Sequence, residues 1–183
     1  MYFQVFRQFI FILLILFSAY AGAMVELVQT PDKVVMSIDR PDRWKAVPGL
    51  LGFSVVIFSP ESKDKVTVGI SVTQIPMNGF DSGSMNEELA KYLQEKKTWL
   101  AKKNNSGDFQ ILGKEFSQSK GNLHFLKASY VLEGEKFLEK NYFVGCLGKL
   151  AQIKAMVPLK NRDIPATEKI IDQIAKGFSC TAK

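Results

Sequence analysis

The chain has 183 residues, 24 Lys and Arg against 18 Asp and Glu, a formal charge of +6, one histidine and two cysteines. A single histidine excludes any site built on two histidine ligands, the His-Glu-x-x-His arrangement included. Lysines scattered among carboxylates make the positive excess a solvated surface rather than a nucleic-acid footprint, with weak attraction to anionic membrane lipid as the secondary reading.

The N-terminus has the layout of an export signal. Arg7 supplies a positive start, residues 9–17 are an unbroken apolar run, and Ala19-Tyr20-Ala21-Gly22-Ala23 offers overlapping small-x-small frames. Cleavage after Ala23 is expected, giving a signal peptide over 1–23 and a single domain over 24–183. A retained anchor is the alternative, although the apolar run falls short of the roughly 20 residues that a spanning helix needs.

Residues 34–38 and 53–59 read as β-branched and aromatic strands. In 65–73, Val66, Val68, Ile70 and Val72 alternate with Thr67, Gly69, Ser71 and Thr73, the period of a strand with one buried face. Pro60 and the polar run to Asp64 make it the partner of 53–59 in a hairpin. Ser84-Met85-Asn86-Glu87 fits a capping box for a helix with Met85, Leu89, Tyr92, Leu93 and Leu100 on its apolar stripe. Lys91, Lys96, Lys97, Lys102 and Lys103 fall mostly elsewhere, and Asn104-Asn105-Ser106-Gly107 ends the helix.

Strands then return at 109–116, 123–132, 137–146 and 150–157. Lys120-Gly121-Asn122, Gly134-Glu135 and Leu147-Gly148-Lys149 separate them, connections short enough for a meander. Pro165 opens a last helix with Thr167, Ile170, Ile171, Ile174 and Phe178 inward, Gly177 near its end and Cys180 within one further turn. The order βββ-α-ββββ-α predicts an α+β fold, an antiparallel sheet of about six or seven strands with two helices packed on it.

Two cysteines in an exported chain are expected to pair. A Cys146–Cys180 bridge closes a loop of 34 positions and stabilises by roughly 3 to 4 kcal/mol. It would pin the last helix to the strand face shared by Cys146, Tyr142 and Val144.

Candidate chemistry is sparse. His124 stands at a strand end with no evident orienting partner or nucleophile, so a partly buried histidine is the expected role. No Gly-x-Ser-x-Gly elbow and no phosphate-cradling glycine loop occurs. The pairs Glu87-Glu88 and Glu133 with Glu135 sit where carboxylates are usually solvated. No catalytic residue, metal site or cofactor is assigned. Arg43 and Trp44, in the loop before Gly49, and Trp99, among the helix lysines, are the candidate contact residues, with packing at the core edge as the alternative for Trp44. Asn104-Asn105-Ser106 matches a glycosylation acceptor.

Several of these features together resemble the Mog1/PsbP-like α/β/α sandwich group. They are the exported N-terminus, Arg40-Pro41-Asp42-Arg43-Trp44, a strand ending Phe58-Ser59-Pro60, the alternating valine strand, the central helix, the meander and the terminal helix near Phe178. The resemblance covers most of 34–180 and implies a non-catalytic binding or assembly role; it carries over no functional residue. The expected function is therefore an exported, periplasmic or secreted binding protein whose partner is a protein or an envelope component. An envelope hydrolase using carboxylates and a secreted effector are the competing readings.

Overall fold

The structure, a computed structural model, describes residues 23–29, 34–60, 65–76, 82–103, 110–115, 124–160 and 163–182. In chain order it forms β1 (Ala23–Gln29), β2 (Val34–Pro41), β3 (Lys45–Pro48), β4 (Val55–Phe58) and β5 (Thr67–Pro76). After these come α1 (Ser82–Lys102), β6 (Gln110–Glu115), β7 (His124–Leu132), β8 (Glu135–Cys146), β9 (Lys149–Pro158), α2 (Ile164–Gly177) and β10 (Ser179–Ala182). Each predicted strand and helix is present. The signal segment before Ala23 and the Asn104-Asn105-Ser106 acceptor lie outside the described residues.

The meander forms because its turns suit the twist of the strands. Glu133 and Gly134 (φ 53° and 79°) join β7 to β8, and Leu147 and Gly148 (φ 51° and 75°) join β8 to β9. Two successive positive-φ residues are the signature of the two-residue hairpin turn. β9 then pairs with β5, so the sheet closes in the order β3-β4-β5-β9-β8-β7-β6, antiparallel throughout. α1 lies in the crossover from β5 to the far edge strand β6, and so must travel across one face.

Strand alternation sorts the two faces. Val68 and Ile70 of β5, Leu138, Tyr142 and Cys146 of β8, and Ala151, Ile153, Ala155 and Val157 of β9 share the main core. Met36 and Ile38 of β2 and Ile171, Ile174 and Ala175 of α2 cover them. The opposite face meets α1 through a much smaller apolar cluster of Leu100, Tyr130 and Phe137.

The single sheet expected from the strand order is in fact two. β2 leaves the large sheet and forms a three-stranded one, β1-β2-β10, on the α2 side. β1, β3 and β10 are additional strands, the last two of four residues each. Cys180 lies in β10, opposite Met36 of β2, and the two cysteines sit at disulfide distance with Cα atoms 5.5 Å apart. The link thus runs from β8 to the small sheet rather than to α2 itself. α1 already runs at Ser84, which stands inside its first turn instead of capping it. α2 carries the cap: the Asp163 carboxylate accepts from the Ala166 amide at 3.1 Å, with Pro165 in the first turn. Gly177 ends α2 without a positive φ. It is needed for packing, because a Cβ there would meet Asp39 Cβ at 2.5 Å.

Arg40 explains the Arg-Pro-x-x-Trp segment. Its guanidinium is buried, pairs with Glu26 of β1, and donates to the carbonyls of Pro41, Asp42 and Trp44. The chain is wrapped around one cation, and Trp44 is turned inward with only 7% of its surface exposed. Arg40→Lys keeps the charge but loses the planar fork. It is expected to cost roughly 2 to 4 kcal/mol in urea unfolding, because buried carbonyls are left unpaired. Replacing both cysteines by serine is expected to lower stability by roughly 3 to 4 kcal/mol, and adding reductant to the unmodified protein should give the same loss.

Candidate functional site

The α1 face of the sheet carries charge where a core would be apolar. Glu139 of β8 is fully buried, and alternation aims it at α1. Tyr92 and Lys96, one helical turn apart, descend to it: Tyr92 donates its hydroxyl to Oε1, and the Lys96 ammonium sits 2.7 Å from Oε2. Asn141 donates to Oε1 at 3.0 Å, and Lys154 of β9 approaches the same oxygen at 3.3 Å. Both carboxylate oxygens are therefore engaged, Oε1 by three groups and Oε2 by Lys96. Burial alone would push the Glu139 pKa up, but the charges of Lys154 and Lys96 and the bonds from Lys96 and Tyr92 together hold it below the usual carboxylate range. Burial lowers the Lys96 pKa against the opposing pull of Glu139.

Aromatic rings enclose this pair. The Lys96 ammonium lies 3.9 Å from the Tyr130 ring centroid and 4.6 Å from that of Trp99. Trp99 stands edge-on to Tyr130 at 6.3 Å, and Tyr130 stacks on Phe137 at 5.6 Å. The Tyr130 hydroxyl is buried and makes no well-formed hydrogen bond, and its pKa is raised by burial first, then by the charge of Glu139 and the hydroxyl's approach to that carboxylate.

Above the network is an open groove of about 860 Å³. Its α1 wall is Tyr92, Glu95, Lys96 and Trp99, and its floor includes Tyr130, Glu139, Gln152, Lys154 and Met156. The far wall comes from the β3–β4 loop. Gly49, Leu51 and Gly52 all have positive φ there, and the bend carries Phe53 back over β5. Gly69 is what admits it, since a Cβ at that position would meet the Phe53 ring at 2.5 Å. Leu51, 75% exposed, forms the rim.

The three candidate contact residues are not brought together. Trp99, 38% exposed, lines the groove. Trp44 belongs to the core on the other side of the sheet, so its ring is not available as a contact, whereas Arg43 beside it is exposed. His124 opens β7 opposite Phe143. Glu87, Glu133 and Glu135 are exposed, as are Lys97, Lys102 and Lys103. Lys96 departs from the solvated reading of the helix lysines, and Glu139 was not among the carboxylates singled out. The signal for both was spacing: Lys96 falls midway between Tyr92 and Leu100 at intervals of four, and Glu139 alternates with the apolar Leu138 side of its strand.

Glu139→Gln strips the partner from Lys96 and is expected to cost roughly 3 to 5 kcal/mol at neutral pH. Lys96→Met should cost less, because Lys154, Tyr92 and Asn141 still hold the carboxylate. Since the folded pKa of Glu139 lies below its ordinary value of 4.5, its contribution is complete above that pH and is lost as pH falls through the folded value. Urea titrations should therefore show the gap between the parent protein and Glu139→Gln closing as pH drops below 4.5.

No family model and no curated protein matches the sequence. Three solved structures are similar in fold. Cyanobacterial PsbP (CyanoP) from Synechocystis sp. PCC 6803 superposes with a TM-score of 0.56 at 13% identity, over 86% of this chain and 92% of that one. The Ran-binding protein Mog1p of Saccharomyces cerevisiae does so at 0.50 and 9% identity, over 86% and 95%. LpqN of Mycobacterium tuberculosis, involved in cell envelope biogenesis, gives 0.48 and 17%, over 87% and 91%. With α1 and α2 on opposite faces of an antiparallel sheet, the chain has the Mog1/PsbP-like fold.

Proposed function

We propose that this chain is an exported, non-catalytic binding protein of the cell envelope and that it binds through the groove between α1 and the large sheet. The observation that carries this reading is the state of Glu139. A general acid or base needs a pKa near the working pH and a free position for the proton it moves. The Glu139 pKa is held below the usual carboxylate range, and both its oxygens are engaged by groups of the protein itself. The groove is built to keep a shape, and its central carboxylate serves as an anchor.

Export is supported by the three-part N-terminus and by the cysteine pair at bonding distance. Among the described residues no helix is long and apolar enough to cross a membrane. Lys97 and Lys102 of α1 and Lys103 just after it, all exposed, support a weak secondary contact with anionic lipid. Mog1p, which shares the fold, is a Ran-binding protein, so the scaffold is compatible with a binding role.

Cell fractionation with intact-mass measurement tests the proposal directly. The protein is expected outside the cytoplasm, shortened by residues 1–23, and lighter by about 2 Da than its reduced form. Purified protein should turn over no cell-wall or ester substrate. Turnover abolished by Glu95→Gln or Glu139→Gln, in a variant that keeps its circular dichroism spectrum, would sink the binding reading in favour of a carboxylate hydrolase.

A further inference from the structure

The groove's chemistry also narrows its ligand, on the reading that the groove is the binding site. Four charged side chains line it, and they cancel: Lys96 and Lys154 against Glu139 and Glu95. Glu139 and Lys96 are already committed to each other and to the rings around them. Lys154 also faces Glu139, so an anionic ligand would enter without a counter-charge waiting for it, and a cationic one would find only the exposed Glu95, where solvent screening leaves a single charge worth little.

What the groove does offer is flat apolar surface beside uncommitted polar atoms. Trp99 and Leu51 are exposed at its mouth, with Phe53 and Tyr92 behind them. Gln152 turns its amide nitrogen to Asn141, which leaves the side-chain oxygen as an acceptor. The Tyr130 hydroxyl is buried without a well-formed hydrogen bond, Glu139 being the acceptor it approaches, and its ring stands edge-on to Trp99. Native proteins rarely leave such a group unpaired unless something else completes it. The volume lies within the roughly 300 to 1,000 Å³ of small-molecule sites.

A ligand that matches has no net charge, one apolar face to lie on an indole, and an edge of hydroxyls that both donate and accept. The geometry points to an uncharged carbohydrate, a short stretch of neutral glycan, as the occupant of this groove. Its ring would stack on Trp99, a hydroxyl would reach the Gln152 oxygen, and a second hydroxyl, entering as Trp99 shifts, would accept from Tyr130.

The test is a titration of the mature protein with cellotriose, maltotriose and triacetylchitotriose, followed by tryptophan emission and by calorimetry. At least one should bind saturably, and Trp99→Ala should weaken it about tenfold or more, equivalent to about 1.4 kcal/mol. Tyr130→Phe should weaken it about two- to tenfold, the worth of one hydrogen bond. The same variant should unfold at an unchanged or higher temperature, because a buried hydroxyl without a well-formed hydrogen bond has been removed. Failure of all the trisaccharides to bind, binding indifferent to Trp99→Ala, or a lowered unfolding temperature for Tyr130→Phe would each overturn the inference. If trigalacturonate binds in a Trp99-dependent manner and the neutral sugars do not, the assignment to an uncharged glycan is wrong while the groove stands as the binding site. If the neutral sugars, trigalacturonate and the apolar probe 1-anilinonaphthalene-8-sulfonate all bind no better to the parent protein than to Trp99→Ala, the groove reading falls as well.

Discussion

Glu139 and Lys140 are adjacent on β8, so their side chains leave opposite faces of the sheet, and each holds a helix. Glu139 takes Lys96 from α1; Lys140 takes Asp172 at 2.8 Å and Glu168 at 3.4 Å from α2. Slipping β8 by one position would set Lys140 against Lys96 and Glu139 against the carboxylates of α2. The slip would thus add two like-charge encounters in a buried setting to the loss of Leu138, Tyr142 and Cys146 from the main core. The consecutive opposite charges therefore fix which helix covers which face, and the register with it.

The two faces are held by different physics. α2 settles on a broad apolar core through Ile171, Ile174 and Ala175, with Lys127, Lys140 and Tyr142 clamping its acidic side. On the α1 face the described cluster that Leu100 joins is small, Tyr130 and Phe137 with it, and the helix is also held by the Glu139 cluster. A buried ion pair adds little net stability compared with apolar packing of the same volume. What it provides here is a helix held at a set height above the sheet, with room left beside it. The groove is the direct result of a polar attachment where a greasy one would have closed the gap.

Much of this architecture was legible in the sequence, because strand alternation and helix spacing are local signals. The valine strand, the meander and the stripe of α2 could all be read that way. The second sheet could not, since whether residues 34–38 pair with β4 or with a short strand from the other end of the chain is decided by non-local hydrogen bonds. β3 and β10 are too short to carry a period. Trp44 illustrates a different limit: its burial follows from Arg40 gathering three carbonyls, a contact invisible to composition. Lysine is nearly always solvated, and nothing local to Lys96 says otherwise. Only the matching buried carboxylate, 43 residues away, reverses that expectation.

The link between β8 and β10 has a consequence for how the chain matures. This sequence has two cysteines, so only one intramolecular pairing exists and the chain has no wrong bridge to make with itself. Cys180 is carried on a four-residue strand that adds to β2 opposite Met36 and Val35. Until an oxidant arrives, that short strand is held by its backbone hydrogen bonds to β2 and by the packing of Phe178 and Cys180 on the core. Oxidation turns this latch into a covalent one, so molecules delayed before it would differ from finished ones chiefly in how often this corner opens, and any competing partner for either cysteine must come from outside the chain.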